Sequence, residues 1–313
     1  MLLLDEIRAI LPAMNPLGLV ALVLALGCGR PGSKIEPSAT PAVEPTASEA
    51  PPATSVAAQS TSPPSAASAR APSRALEPLA ADASRITLDV EGFKPAVLSV
   101  PLGSTEPRPL VVALHGNFDR PDWHCELWQS ITHGYPFILC PRGVPRGDVP
   151  RSMDRWEYGS LDKTKKELDA GIAALEARFP GRLAKGPVVY LGFSLGAILG
   201  IQLAKKEPAR FPRVVLIEGG LGGLDAAGIR RFHEGGGERV LIACGQADCA
   251  QKGKGLAKRL EKEGVLARVV DGGRIGHTYD GAIAEGIARE WPWLVEGLEG
   301  WPASPGKDGK IPE

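Results

Sequence analysis

The sequence predicts an α/β domain, a mostly parallel sheet with helices on both faces and an antiparallel hairpin at its start. Three observations carry that expectation. Short runs rich in β-branched residues alternate with stretches of helical spacing. Several of those runs are apolar at every position, as in strands buried on both faces. One of them, from Val188 to Leu191, passes through Gly192-Phe193-Ser194-Leu195-Gly196 into small apolar residues with helical spacing.

The elements follow in order. Residues 85–90 alternate, turn at Glu91-Gly92, and continue as 96–100, which predicts the hairpin. Residues 110–114 and 137–140 are continuous apolar strands. A helix is expected over 165–179, with Leu168, Ile172, Leu175 and Phe179 on one face and a stop at Pro180-Gly181. The strand at 188–191 and its helix come next. Three more strands are expected at 214–217, 240–243 and 267–270, and a closing helix over 282–298 contains Pro292. About twenty residues separate the strands at 214 and 240, too few for a large cap domain.

Composition divides the chain before any motif does. Its 313 residues carry 36 basic and 36 acidic side chains, a balance that does not favour nucleic acid as a partner. The 29 prolines crowd toward the N-terminal third. Residues 17–26 are a short apolar run ending in Ala25-Leu26-Gly27-Cys28. The run is short for a bilayer span and suits the core of a signal peptide. Small residues before a cysteine resemble a bacterial lipoprotein lipobox, with Cys28 as the lipidated residue. The pattern departs from that motif at Ala25, where leucine is usual, and in the acidic Asp5 and Glu6 near the start. Residues 29–83 are dominated by Pro, Ala, Ser, Thr and Glu. Such a segment buries too little apolar surface to offset its ordering entropy and reads as a disordered tether. The expected organisation is a signal peptide and lipobox over 1–28, a linker over 29–83, a folded domain over 84–298 and a loose tail over 299–313.

The glycine-flanked serine is the centre of this reading. A serine on a sharp strand-to-helix turn is held in a strained backbone conformation. Close packing of strand against helix leaves no room for a Cβ two residues to either side. The helix N-terminus behind it favours developing negative charge. Around it lie Leu114-His115-Gly116 after an early strand, Gly245-Gln246-Ala247-Asp248 after a late one, and Gly276-His277 near the end. With the G-x-S-x-G these signatures resemble the α/β-hydrolase superfamily over residues 84–298, in that family's order of Ser, acid, His.

The resemblance implies a set of roles. Ser194 is the nucleophile and His277 the base that takes its proton and later returns it. Asp248 is expected to orient the imidazole, with Glu218, Asp271 and Asp280 as rival acids. The oxyanion donors are expected at the N–H of Leu195 and at the N–H of Asn117, with Phe118 as the alternative. His115 takes the family's structural role of shaping the early loop. The other histidines, His124, His133 and His233, read as packed or surface residues. No clustered ligands with metal spacing are found, so neither a metal nor any other cofactor is expected. Trp123, Trp128, Trp156 and Tyr158 either line a substrate pocket or pack the core.

Apart from Cys28, four cysteines remain, with three possible connectivities. An exported chain is free to pair them. The local pairing, Cys125 with Cys140 and Cys244 with Cys249, is favoured because the partners are close in sequence. The second bridge would bracket Asp248. The expectation is thus an exported, membrane-anchored serine hydrolase acting on a small or polymeric ester, its only membrane contact being the N-terminal lipid. A peptidase or thioesterase with the same triad, or a non-catalytic surface-binding lipoprotein of the same fold, are the alternatives.

Overall fold

The continuous apolar runs become the strands of one sheet. The computed structural model describes residues 76–302, so the expected signal peptide, Cys28, most of the linker and the last residues of the tail lie outside the described residues. The strands are β1 (Arg85–Leu88), β2 (Ala96–Ser99), β3 (Leu110–Leu114), β4 (Phe137–Cys140), β7 (Val189–Phe193), β8 (Arg213–Ile217), β9 (Arg239–Cys244) and β10 (Leu266–Asp271). A separate two-stranded hairpin, β5 (Val144–Pro145) and β6 (Trp156–Glu157), intervenes between β4 and β7. The helices are α1 (Pro121–Ile131), α2 (Leu161–Arg178), α3 (Leu195–Lys206), α4 (Ala226–Glu234), α5 (Ala247–Lys262) and α6 (Ala282–Val295).

The eight-stranded sheet runs β1-β2-β4-β3-β7-β8-β9-β10. β2 pairs antiparallel with β1 and with β4, and every other pairing is parallel. This strand order, with the helices as crossovers, is the α/β-hydrolase fold. The order reverses between β3 and β7, and crevices open at the C-terminal ends of strands at such a reversal.

Alternation along the central strands builds two cores. Val112, Leu114, Tyr190, Leu216 and Ile242 face one side, where Leu168 of α2, Ile201 of α3, Phe232 of α4 and Leu256 of α5 cover them. Val111, Ala113, Leu191, Ile217 and Leu241 face the other, under Trp128 of α1 and Ile287 and Trp291 of α6. With both faces covered, β3, β4, β7 and β8 are buried at every position and, apart from Arg213 at the start of β8, carry no charge, whereas the edge strand β10 alternates.

The packed body is longer than 84–298 at both ends. Leu79 is buried, and its N–H donates to the carbonyl of Ser104 at 2.9 Å. At the other end Trp301 packs on Trp291 and Tyr135, and the Tyr135 hydroxyl donates to the Gly300 carbonyl. Apolar side chains just outside a compositional boundary are enough to extend the core past it. α1, α4 and α5, and the β5–β6 hairpin, were not among the expected elements. α1 and α4 are short, and the spacing in α5 is masked by its charge: Leu256 and Leu260 are its large buried residues.

His124 lies fully buried on α1. Its Nε2 accepts from the Trp128 indole at 3.1 Å, and burial pushes its pKa down from 6.5 to about 3, with the neighbouring His115 acting in the same direction. A histidine with a depressed folded pKa stays neutral in the fold while the unfolded chain gains the proton. Its stabilisation is complete above pH 6.5 and is lost progressively from there toward pH 3. The slope approaches about 1.4 kcal/mol per pH unit. His115 is lowered too, again by burial. Between about pH 6 and 5 most carboxylates stay ionised, so this window reports the histidines. His124→Gln keeps an acceptor for Trp128 and should flatten the fall in urea midpoint across that window. An unchanged slope would show that His124 does not govern it.

Candidate active site

Ser194 sits where β7 ends and α3 begins, with φ 49° and ψ −110°. Few non-glycine residues adopt positive φ, because Cβ then crowds the backbone. Five described ones do, and three of them are Phe118, Ser194 and Glu218. Ser194 is held there by close packing. A Cβ on Gly192 would lie 2.5 Å from the Gly196 carbonyl carbon, and one on Gly196 would overlap the carbonyl of Leu114. The Ser194 N–H donates to the Ile217 carbonyl of β8 at 2.8 Å, which ties the turn to the next strand.

Loops from the neighbouring strands converge on this serine. After β3, Gly116 comes so near that a Cβ there would stand 3.4 Å from Ser194 Cβ and 2.7 Å from the Phe193 ring. After β8, Gly219 packs on the Ser194 backbone, where a Cβ would lie 2.5 Å from its carbonyl oxygen. After β10, His277 lays its imidazole against the Phe193 ring, centroids 4.9 Å apart. Ser194 is half-buried and the His277 side chain is 45 % exposed, so the site is open to solvent.

The acid that meets His277 is Glu218. Its Oε2 lies 3.2 Å from His277 Nδ1, and its side chain is 1 % exposed. The other oxygen, Oε1, accepts from the N–H of Gly245 and, at 2.9 Å, from that of Gln246. The expectation for Asp248 is corrected here. It stands in the first turn of α5, where a carboxylate complements the helix dipole, and pairs with Lys252 at 2.7 Å with its side chain 73 % exposed. The Gly245-Gln246 signature supplies amide donors to the acid rather than the acid itself. The other rivals also point elsewhere: Asp271 pairs with Lys254 at 2.8 Å, and Asp280 accepts from the Thr278 hydroxyl at 3.5 Å.

Both expected disulfides are present. Cys125 and Cys140 join α1 to β4 with Cα atoms 5.9 Å apart, and Cys244 and Cys249 are bridged with Cα atoms 5.5 Å apart. The second closes the loop that carries the Gly245 and Gln246 amides, so it steadies the grip on Glu218 rather than a position for Asp248. Glu218, Cys244 and Cys249 lie close enough to suggest a metal site, but the bridged sulfurs offer no thiolate.

The donor loop is equally defined. The Phe118 N–H already donates to the Trp156 carbonyl at 3.0 Å. The Asn117 N–H has no acceptor among the described residues, and the Leu195 N–H, first in α3, has no intrahelical partner. The Asn117 side chain accepts from Arg146. His115 is fully buried, with Nδ1 2.7 Å from the Gly116 carbonyl and Nε2 3.1 Å from that of Arg142, so it braces the loop. Asp119 was missed by sequence reading. Buried, it accepts from the Arg120 N–H at 2.8 Å and from the Tyr279 hydroxyl at 3.2 Å. It therefore links the donor loop to the histidine loop, and burial together with its charge raises the Tyr279 pKa. No signal in the chain joined residues 160 positions apart.

Among the aromatics, Trp128 and Tyr158 belong to the core, while Trp123 and Trp156 reach the surface beside the donor loop. His133 and His233 are exposed.

No protein-family model matches this chain, and neither does any curated protein. Solved structures are similar in fold. Est1E from Butyrivibrio proteoclasticus gives a TM-score of 0.49 at 14% identity, over 68% of this chain and 99% of its own. Esterase PE8 gives 0.48 at 18%, over 67% and 100%. An S-formylglutathione hydrolase from Agrobacterium tumefaciens gives 0.48 at 20%, over 67% and 93%. At these identities the likeness is one of fold.

Two outcomes test the architecture of the site. Gly196→Ala forces a Cβ into backbone that cannot yield, and should cost about 3 kcal/mol in denaturant unfolding. Cys249→Ser opens the short loop around Gly245, which should lower stability by about 2 kcal/mol and kcat more than KM. A Cys249→Ser protein with undiminished kcat would show that the bridge does not steady Glu218.

Proposed function

We propose that the protein is a serine hydrolase that cleaves carboxylic esters through an acyl-enzyme on Ser194. The observation that carries this reading is the buried Glu218 carboxylate, clipped by two backbone amides and set against Nδ1 of a histidine that packs on Phe193, the residue before the strained serine.

The chemistry follows from that arrangement. Glu218 keeps the proton of His277 on Nδ1 and leaves Nε2 as the base. As Ser194 Oγ bonds to the ester carbonyl carbon, its proton passes to Nε2, and the carbonyl π pair moves onto oxygen. The N–H groups of Leu195 and Asn117 receive that oxyanion, and each such donor is worth about a hundredfold or more. When the oxyanion re-forms its double bond, the ester C–O bond breaks and the alcohol leaves with the proton from Nε2. Water then repeats the cycle: its proton goes to His277, its oxygen to the acyl carbon, and the acid departs as Ser194 regains its proton.

Surface chemistry supports an ester. Phe118, Ile198 and Ile275 are 42–50 % exposed and lie near Asn117, Ser194 and His277 in the chain, apolar surface suited to acyl or alcohol groups. The two disulfides favour an oxidising compartment, which supports export with Cys28 as the lipid anchor.

A fluorophosphonate probe should label the protein and fail on Ser194→Ala. With a p-nitrophenyl ester, Glu218→Gln should lower kcat by about 10³–10⁴-fold. Asp248→Asn should stay within a factor of two of the native enzyme. Labelling that survives Ser194→Ala, or a larger loss from Asp248→Asn than from Glu218→Gln, would overturn the assignment.

A further inference from the structure

The β5–β6 hairpin builds a second feature beside the donor loop. It is fastened there by three contacts: the Phe118 N–H on the Trp156 carbonyl at 3.0 Å, the Trp156 N–H on the Asp119 carbonyl at 3.1 Å, and Arg146 on the Asn117 side chain. Between the strands the chain folds over a cleft of about 180 Å³. Lys94, Arg146, Arg151 and Arg155 line it against a single carboxylate, Asp154, with Trp156 forming an apolar wall.

The charges there are not balanced. Asp154 is taken by Arg120 at 2.9 Å and by the Trp156 indole at 2.8 Å. Arg146 is matched by Asp148 and Glu157. Lys94, Arg151 and Arg155 meet no carboxylate among the described residues; Arg155 donates only to the carbonyls of Met153 and Asp154. The Arg155 guanidinium stands 5.4 Å from the Phe118 ring and 4.7 Å from that of Trp123, and Arg146 covers Phe118 at 5.5 Å. Cation–π contact orients these guanidiniums without neutralising them. In a chain of zero formal net charge, a concave group of uncompensated cations is a local device.

We propose that this cleft is a subsite for an anionic oxygen group, a carboxylate or a phosphate, borne by the substrate. It rests on the hydrolase reading above and narrows the substrate class to esters that carry such a group on a short spacer from the scissile carbonyl. Arginine forks match planar oxyanions in two-point contacts, and each charge-assisted hydrogen bond in a partly shielded cleft favours the charged ligand by about tenfold or more. Arg146 links the subsite to the reaction centre, since it holds the side chain of the residue whose N–H faces the oxyanion.

The test compares p-nitrophenyl monoesters of succinate, glutarate and adipate with the neutral butyrate, valerate and hexanoate esters, on the full chain at low salt. One of the anionic esters should exceed its neutral partner in kcat/KM by about tenfold. That ratio should shrink in 0.5 M salt and fall at least fivefold in Lys94→Gln/Arg151→Gln. A ratio near one in the native protein, or one unmoved by the double substitution, overturns the subsite while leaving ester hydrolysis standing. Isothermal titration with glutarate and with inorganic phosphate reads the cleft without turnover. Binding that the double substitution weakens at least fivefold supports the subsite, and the tighter ligand assigns carboxylate or phosphate. If no ester is turned over yet such binding is found, the hydrolase reading fails and the anion site stands. Absence of both turnover and binding overturns both.

Discussion

The site depends on one close approach, that of α3 to the ends of β3 and β7. Gly196 rests on the carbonyls of Leu114 and His115, and Gly192 rests on the first turn of α3. That contact drives Ser194 into positive φ and lifts it from the sheet toward solvent. It also brings the loop after β3 against the serine, because Gly116 has no side chain to keep Phe193 and Ser194 away. The strain at Ser194 persists because the surrounding backbone leaves it no other well. Nothing polar is asked of the helix except its free N–H at Leu195.

The acid is positioned by a different principle. Glu218 also has positive φ, and among the described residues its buried carboxylate meets no lysine or arginine. Its charge is offset by hydrogen bonds from the Gly245 and Gln246 amides and from His277. Burying a carboxylate without such donors would be costly. The Cys244–Cys249 bridge closes the loop that carries the two amides, so an oxidising environment and the grip on Glu218 are physically connected. Asp119 performs a similar service on the other side, holding the Arg120 amide and the Tyr279 hydroxyl together.

The hairpin between β4 and β7 adds charge to a site whose centre is otherwise apolar and hydrogen-bonded. Its strands are only two residues each, too short to stand alone. They persist because Trp156 docks on Phe118 and Asp119 through backbone hydrogen bonds. The same docking carries Arg146 and Arg155 to the Phe118 ring. A segment with weak intrinsic structure thus becomes a fixed wall of the site.

By itself the sequence determined the fold, singled out Ser194 and favoured the local pairing of the cysteines. Apolar runs buried on two faces, and glycines at i−2 and i+2 of Ser194, are local signals that survive without knowledge of partners. Only the tertiary structure decided which carboxylate meets His277. Glu218 and Asp248 both follow strands, and spacing alone does not say which one turns inward. The choice was made by where the Gly245 and Gln246 N–H groups point, and by the first turn of α5, which gives Asp248 a lysine and a helix dipole to satisfy it at the surface. It likewise left the Asn117 N–H free among the described residues and not that of Phe118, which is consumed by a hairpin that no periodicity announces. The opening serine was legible because its constraint is a short-range clash. The groups that serve it come from strands tens of residues apart, and their orientation is a property of the packed sheet.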